Sequence, residues 1–456
     1  MDNKPIGFLF VLKSNYFYYD TYRNRLIQVT VEQFKEIKRL LEIGQADYLA
    51  SCDDTEEQQA IVKLIHMGFF RPSFIACEEH PNMRYIPQLL NRCVNFVQLQ
   101  VTRSCNFRCR YCFFANDNTM TRNHENAYMD WDTARRSIDF LYEHSCDVSE
   151  VGISFYGGEP FLNFAIIKKA VEYAEKKFLT KMIRFSATTN GSIMDQDIAD
   201  FLAEKGFHLM ISLDGPADIQ DSHRRFSGSG GGTFDKVLEN IMLLKASHED
   251  YFYKNVIFNP VMFADESYAK VLAFFKSIGV RESAVRKQYA NMKGIDYNYD
   301  LFHSDIAGTS EYEHFQEYNV DQIEHIKDAY KRKFIRTSEE LPESGCIPGV
   351  VRLLITVHGE FYPCEKINEN EELMIGNLRD GFNEEQVRRI ANLQKLTHEQ
   401  CKTCWAVRFC KMCAIHCTDP EKGNISRQAK EAYCRVIKKI AVSFLKEQAE
   451  RQNQEV

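Results

Sequence analysis

Six short apolar runs separated by helical stretches dominate the middle of this 456-residue chain. Each run is followed by turn or polar residues, and amphipathic stretches such as 164–178 and 198–206 lie between them. The runs span residues 96–101, 151–155, 183–189, 208–213, 256–263 and 283–289. Alternating strands and helices predict a parallel sheet, either open or closed into a barrel. In such folds the chemistry gathers at the carboxyl ends of the strands, so the segments after the runs are the candidate site.

A different pattern occupies the start of the chain. Aromatic and β-branched residues there predict three short strands, and helical spacing follows them. The expected strands cover 7–12, 16–20 and 25–30, and the expected helices cover 31–44 and 55–68. Thr55 and Gln58 have the spacing of a capping box at the start of the second helix. Three strands followed by helices in so few residues indicate a small α+β module.

The size and charge of the chain narrow its class. A chain of 456 residues exceeds one ordinary core, so two or three domains are expected. A net charge of −7 argues against general binding to nucleic acids or to anionic membranes. The first residues lack the apolar length of a secretory signal, and no apolar run approaches the ~20 residues of a spanning helix. These features predict a cytoplasmic protein.

Cysteine placement is the strongest chemical signal. Fifteen cysteines in a reducing compartment favour metal or redox chemistry over disulfides. Cys105, Cys109 and Cys112 follow the first predicted strand, and C-x3-C-x2-C spacing suits an iron–sulfur cube ligated at three corners. The fourth iron would keep an open position for a substrate or cosubstrate. Half of a zinc site and coincidental core cysteines are the alternatives.

This loop also carries a family resemblance. Its C-x3-C-x-aromatic-C form, with Tyr111 before Cys112, resembles the signature of radical S-adenosylmethionine (SAM) enzymes. The resemblance implies a [4Fe-4S] cluster on the three cysteines. It also implies that the methionyl amine and carboxylate of SAM chelate the open iron.

The ends of the following strands extend the resemblance. The segment FYGGEP offers two glycines, which let a ligand approach the backbone, and a carboxylate that can accept from an ammonium, as other Gly-rich turns also do. It resembles the family's GGEP motif, which implies that Gly157, Gly158, Glu159 and Pro160 hold the SAM amino group. The same resemblance implies that the ribose hydroxyls of SAM bind Asn190, Ser212 and Asp214. It also implies that the SAM carboxylate pairs with Arg224. The usual His-Asp before that arginine reads Gln220-Asp221 here.

A second cysteine pattern lies near the end of the chain. C-x12-G-x4-C is followed by C-x2-C-x5-C-x2-C-x3-C and a final cysteine, which resembles the SPASM domain with its two auxiliary [4Fe-4S] clusters. The implied ligands are Cys346, Cys364, Cys401, Cys404, Cys410, Cys413, Cys417 and Cys434. Ala414 stands where the family pattern has a cysteine, so whether Cys413 or Cys417 is the ligand stays open. A pair of four-cysteine zinc sites is the alternative.

The N-terminal module resembles the peptide-recognition element of ribosomal-peptide maturases. Such an element captures a leader peptide as an extra strand at a sheet edge. The phrase YYDTYRNRLIQV at 18–29 resembles maturases of Cys-rich peptides. A plain structural extension is the alternative.

Together the resemblances imply an α/β fold, a partial (β/α)6 radical SAM barrel, with modules on both sides. The expected domains are a peptide-binding module (1–90), the radical SAM core (91–300), a helical bridge (301–344) and the SPASM domain (345–456). The implied activity is radical modification of a leader-bearing precursor peptide, with Cys thioether crosslinking as the leading hypothesis. A reductase or a flavodoxin or ferredoxin would donate the electron. The alternatives are a carbon–carbon crosslink, decarboxylation, anaerobic sulfatase maturation through formylglycine, a non-enzymatic electron carrier and a zinc-binding interaction protein.

Overall fold

The structure is a computed structural model of the chain. It describes residues 4–53, 55–73, 75, 79–80, 82–112, 124–263, 268–286, 288–289, 347–410, 413–419 and 422–454. Cys346 and the helical bridge expected at 301–344 lie outside the described residues.

The N-terminal unit has the predicted three strands, in an antiparallel sheet of order β1-β2-β3. Its elements are β1 Gly7–Leu12, β2 Asn15–Asp20, β3 Arg25–Val29, α1 Val31–Ile43, α2 Gln45–Ala50 and α3 Glu56–His66. The capping box was predicted at the wrong helix. Thr30 and Gln33 form it at the start of α1, whereas the Gln58 side-chain oxygen accepts from the Asp53 N–H at 2.7 Å. At α3 only half of the box is present, because Thr55 accepts from the Gln58 N–H.

Alternation along these strands gives the small sheet two apolar faces. On one face Tyr18 packs with Ile37 and Phe70 of the unit's own helical part. On the other face Phe17 and Tyr19 pack against the far end of the chain, where the contacting residues are Ala406, Phe409, Ile437, Ala441 and Leu445. The N-terminal unit is therefore docked on the C-terminal region through an apolar contact.

A nine-stranded sheet forms the centre of the molecule, in the order β10-β8-β7-β6-β4-β13-β14-β15-β16. Its members are β4 Phe96–Thr102, β6 Glu150–Gly157, β7 Met182–Thr189, β8 His208–Ile211, β10 Val256–Phe258, β13 Leu353–Ile355, β14 Glu360–Tyr362, β15 Gly376–Asn377 and β16 Gly381–Phe382. The run from β10 to β13 is parallel, and the last three strands are antiparallel. Because β13 pairs with β4, this sheet crosses the domain boundary expected at residue 345.

Helices cover the apolar face of the parallel part. They are α4 Ile86–Arg92, α5 Trp131–His144, α6 Phe164–Lys177, α7 Gln196–Glu204, α8 Ala217–His223, α9 Phe234–Ser247, α10 Glu249–Asn255 and α11 Tyr268–Ser277. Three more follow the sheet, at Glu384–Ala391, His398–Lys402 and Arg427–Gln454, the terminal helix. Among the described helices, none is both long and apolar enough to cross a membrane.

The run at 256–263 is two strands rather than the single one predicted. β10 ends at Phe258, and β11 covers Val261–Met262. Pro260 lies between them and has no N–H to continue a ladder. β11 pairs in parallel with β12 Gln288–Tyr289, inside the last predicted run.

Strand β4 shows how the sheet separates its faces. Val97, Leu99 and Val101 lie in the main apolar core. Gln98 and Gln100 alternate with them, so they lie on the opposite face, where they are also buried. The face of β4 that lies opposite the apolar core is therefore polar.

Candidate active site

The cysteine loop begins where β4 ends, at the carboxyl edge of the parallel sheet. Burial raises the pKa of Cys105 and of Cys109 to about 12, and the nearby Cys112 contributes to the rise in both. The Phe107 N–H donates to the Cys105 sulfur at 3.4 Å, and the Asn190 amide nitrogen lies 3.9 Å from the same sulfur. Three thiols on one loop, with N–H donors aimed at sulfur, fit an anionic iron–sulfur cluster.

Part of this loop pairs with a segment more than a hundred residues later. β5, Phe107–Cys109, is antiparallel to β9, Arg224–Phe226, and Cys109 is opposite Arg224. The Arg224 Nη1 atom lies 3.9 Å from the Cys109 sulfur. This pairing fixes a guanidinium beside a candidate ligand.

Asp214 joins three of the predicted residues into one buried cluster. Its carboxylate accepts from Arg224 Nε at 2.9 Å and from the Tyr111 hydroxyl at 2.5 Å. The Val261 N–H adds a bond of 2.9 Å. Burial alone would raise the pKa of Asp214, but Arg224 and the other donors hold it below its usual range. Asp214 and Arg224, which the resemblance assigns to the ribose and the carboxylate of SAM, are thus hydrogen-bonded to each other.

Gly157 and Gly158 let β6 approach the cysteine loop. A Cβ atom on Gly157 would lie 2.0 Å from the Thr102 carbonyl oxygen, and one on Gly158 would lie 2.2 Å from that of Ser104. The Gly158 N–H instead donates to Thr102 O at 2.9 Å, and the Glu159 N–H donates to Ser104 O at 2.9 Å. The close approach that the glycines allow is between two parts of this chain.

The Glu159 side chain is fully buried and already bonded within the protein. It accepts from the Thr189 hydroxyl at 2.7 Å, the Asn190 N–H at 2.7 Å and the Phe161 N–H at 3.1 Å. Burial raises its pKa to about 7 despite these donors. The role expected of Glu159 toward the SAM ammonium stays a prediction, and these three bonds leave acceptor positions on its carboxylate. Glu159 ties the ends of β6 and β7 together, and Pro160 begins the short 3-10 helix that follows.

Asn190 connects the end of β7 to the cysteine loop through residues that sequence reasoning missed. Its amide nitrogen donates to Asn106 Oδ1 at 2.8 Å, and Asn106 donates to the Ser192 hydroxyl at 2.8 Å. The position of Asn106, directly after Cys105, was the available signal. Ser212, just past the end of β8, is half-buried, and its N–H donates to Thr189 O at 2.9 Å.

A second missed network ties the cysteine loop to the C-terminal region. Glu369, whose side chain is 2% exposed, accepts from Arg103 Nη2 at 2.5 Å and from Gln100 Nε2 at 2.6 Å. Arg103 also pairs with Glu125 at 2.6 Å. The signal was absent because these partners are far apart in sequence.

The C-terminal cysteines form two groups. In the first thiol set, burial raises the pKa of Cys410, and its neighbours Cys401, Cys434 and Cys404 raise it further. In the second thiol set, burial raises the pKa of Cys364 to about 11, with contributions from Glu365 and Cys413. Burial raises the pKa of Cys417, Cys413 and also Cys434 of the first set raise it further, and we group Cys417 with Cys413, its neighbour in the chain, in the second set.

Cys413 and Cys417 stand on either side of the position where Ala414 replaces the family's cysteine. Cys413 precedes the short 3-10 helix Ala414–Cys417, and the His416 N–H donates to the Cys413 carbonyl at 3.0 Å. Both cysteines stay candidate ligands. Across the described ranges no three His, Cys, Asp or Glu side chains converge as ligands of one metal ion.

Comparison with known proteins gives this geometry its relatives. The family model of the radical SAM superfamily matches residues 99–278. The uncharacterized protein MJ0907 of Methanocaldococcus jannaschii is 31% identical over 177 residues, or 39% of this chain, and this chain spans only 58% of MJ0907.

Two longer matches cover most of the chain. The radical SAM cyclopropyl synthase TigE of Paramaledivibacter caminithermalis is 20% identical over 83% of this chain and 81% of its own length. A cysteine-type anaerobic sulfatase-maturating enzyme of Clostridium perfringens is 25% identical over 70% of this chain and 88% of its own length. Among solved structures, native anSMEcpe with bound AdoMet superposes with a TM-score of 0.58 at 21% identity, covering 78% of this chain and 99% of that one. At that identity the likeness is one of fold.

Proposed function

We propose that this chain, whose residues 99–278 match the radical SAM superfamily model, is a radical SAM enzyme and a maturase of a ribosomally made precursor peptide. The proposed product is a thioether crosslink at cysteine. The observation that carries the proposal is the convergence of the three-thiol loop, the Arg224–Asp214–Tyr111 cluster and the ends of β6 and β7 at one edge of a parallel sheet. When bound, a [4Fe-4S] cluster would supply the electron for reductive cleavage of SAM, the radical source for hydrogen abstraction from the peptide.

The residues of this chain would bind and orient that chemistry. Cys105, Cys109 and Cys112 hold the cluster, and the donors on Phe107 and Asn190 stabilise the thiolate of Cys105. The guanidinium of Arg224 is fixed by Asp214 beside Cys109, where it favours a bound anionic group. The backbone at 157–160, together with Asn190 and Ser212, lines the same edge and would position SAM.

The two C-terminal thiol sets would hold two auxiliary [4Fe-4S] clusters. Four described cysteines make up the first set. The second set has three described cysteines, and Cys346 is proposed as its fourth member. The domain that contains them is proposed to be of the SPASM type, and the electron donor to be a reductase, a flavodoxin or a ferredoxin.

The N-terminal unit would bind the leader peptide. Its sheet is covered on both faces, and β1 and β3 are its edge strands, so an added strand is the available mode. Beside the start of β3 lies a cavity of about 420 Å³, lined by Tyr22, Arg23, Arg25, His66, Met67, Gly68 and Arg71. The guanidinium groups of Arg23 and Arg71 both lie within 4 Å of a Cβ built on Gly68, and neither forms an ion pair within the described residues. This cationic end suits an acidic residue of the peptide.

Co-expression under anaerobic conditions with short Cys-rich reading frames beside the gene tests the proposal. The peptide's intact mass and thiol content are measured, with Cys105→Ala as the inactive control. Lost hydrogens matched by lost thiols that reduction does not restore indicate thioethers. Lost hydrogens with every thiol retained indicate a carbon–carbon crosslink, and an unchanged mass with every candidate peptide contradicts the proposal.

Anaerobic sulfatase maturation is the second candidate, favoured by the match to the Clostridium perfringens enzyme. Deleting residues 1–90 is a poor discriminator, because it would uncover the apolar surface around Phe409 and Ile437. A better one is incubation of the intact enzyme with a cysteine-containing sulfatase peptide. Formylglycine in that peptide, with no reaction of the Cys-rich candidates, would favour sulfatase maturation.

A further inference from the structure

Lys430 is a fully buried cation on the terminal helix, with relative exposure of 0%. Its ammonium donates to the Gln394 carbonyl at 2.9 Å and to the Thr397 hydroxyl, and it lies 3.9 Å from the Cys401 sulfur. No ion pair involves Lys430 within the described residues. Its neighbour Glu431 pairs instead with Arg427 at 2.9 Å. A buried charge without a counter-charge is costly, so this ammonium calls for an anionic partner.

The groups around Lys430 are thiols. Against the rise that burial causes, its positive charge lowers the pKa of Cys410 and Cys434 in the first thiol set and of Cys417 in the second. The Cys401 sulfur of the first thiol set lies 3.9 Å from the buried ammonium. An iron–sulfur cluster held by deprotonated thiols is an anion and would compensate this charge.

We infer that Lys430 is the charge-compensating residue of the auxiliary cluster at the first thiol set, and that it raises the reduction potential of that cluster. It is a positioning residue and takes no part in bond making. The inference rests on the auxiliary clusters of the proposed function. A positive charge in a buried setting favours the more negative, reduced form of a nearby cluster.

A purely structural role is the competing explanation. The ammonium also meets the last turn of the 3-10 helix Leu393–Thr397, where a cation satisfies helix carbonyls. Glutamine at 430 separates the two roles, because it keeps two N–H donors and removes the charge. Arginine keeps the charge. Lys438 is exposed and lies two turns later on the same helix. Its charge likewise opposes the effect of burial and lowers the pKa of Cys404 and Cys434, so it provides a matched control.

The experiment is an anaerobic redox titration of the reconstituted full-length enzyme, followed by electron paramagnetic resonance, with iron and sulfide content measured alongside. For Lys430→Gln, the reduced-to-oxidised ratio of an auxiliary cluster at the wild-type midpoint is expected to fall about tenfold, or about 59 mV for one electron. Lys438→Gln is expected to shift much less, since solvent screens its charge.

Two outcomes overturn the inference: an unshifted potential in Lys430→Gln, or loss of the cluster in both Lys430→Gln and Lys430→Arg. Cluster loss in Lys430→Gln with full cluster content in Lys430→Arg supports the inference. Both variants keep N–H donors, so the positive charge of arginine would account for the difference. If the wild type contains iron for the SAM cluster alone, the auxiliary part of the proposed function fails instead.

Discussion

Arg224 and Cys109 are cross-strand partners in the β5–β9 pair, and the Arg224 guanidinium also forms an ion pair of 2.9 Å with the fully buried Asp214. One side chain thus serves a candidate cluster ligand and a buried carboxylate. Arg224→Met is expected to destabilise the protein by about 3–5 kcal/mol, because it leaves the carboxylate uncompensated, and to lower the iron content. Arg225→Met, on the same strand but exposed, is the control and should stay within about 0.5 kcal/mol of wild type. Denaturant unfolding and iron analysis measure both, and equal effects would contradict the prediction.

Gly158→Ala tests the close approach of β6 to the cysteine loop. The new methyl group would meet the Ser104 carbonyl, so the loop must move. We expect a loss of stability of at least the roughly 1–3 kcal/mol typical of overpacking, together with fewer irons per chain. Gly228→Ala is the control, since a Cβ there meets nothing within 4 Å. Full iron content in Gly158→Ala would show that the loop tolerates the shift.

Glu159 should make stability depend on pH. Its pKa rises from the ordinary 4.5 to about 7 on folding. Between these values the folded chain keeps a proton that the unfolded chain has released, so stability falls as pH rises through this window, by on the order of 3 kcal/mol. Unfolding midpoints of wild type and Glu159→Gln from pH 4 to pH 8 measure the effect. The slope should be absent from Glu159→Gln, and a slope equal to wild type would assign it to other groups.

Methionine substitutions at Gln98 and Gln100, which lie on one face of β4, should have opposite effects on stability. The buried Gln98 Oε1 has no hydrogen-bond partner within the described residues, so Gln98→Met should keep or raise stability. Gln100→Met should lower it by about 1–3 kcal/mol, because Glu369 and Arg103 lose a partner. Thermal unfolding of the two variants compares them directly. A similar loss in both would mean that the Gln98 amide is satisfied in the folded protein.

Arg23 and Arg71 should govern binding of acidic peptides. A dye-labelled peptide of alternating glutamate and valine is the probe, and its glutamine counterpart is the reference. The double substitution Arg23→Gln/Arg71→Gln is expected to weaken binding of the glutamate peptide about tenfold or more, with a smaller salt dependence. Arg84→Gln is the control, because Arg84 is exposed and stacks on Tyr85 outside the cavity. Equal anisotropy titrations for the two peptides would remove the acidic preference.

Sequence periodicity was enough for the elements that build the parallel sheet. The runs at 96–101, 151–155 and 183–189 became β4, β6 and β7 with ends shifted by no more than two residues. Their apolar and polar alternation is a local property, and local patterns survive folding. The break at Pro260 was equally local and was overlooked.

The contacts within the candidate site were less accessible. Glu159 could be recognised as special, but only its position against Thr189 and Asn190 shows that its carboxylate is used inside the protein. Glu369 could not be found, because its partner Arg103 is 266 residues away and neither residue stands in a recognisable pattern. Sequence reasoning thus identified residues that resemble a motif and missed those that hold the motif in place.

The docking of the N-terminal strands on the helix Arg427–Gln454 delays folding during synthesis. Phe17 and Tyr19 leave the ribosome long before Ile437 and Leu445, the residues of the later helix on which they pack. The β4 edge likewise waits for β13, more than 250 residues later. Domains usually fold in turn as they emerge, but here the small N-terminal sheet lacks the apolar partner of one face until the helix Arg427–Gln454 has been made. Chains truncated before that helix would expose the apolar face of Phe17 and Tyr19 and are expected to be aggregation-prone.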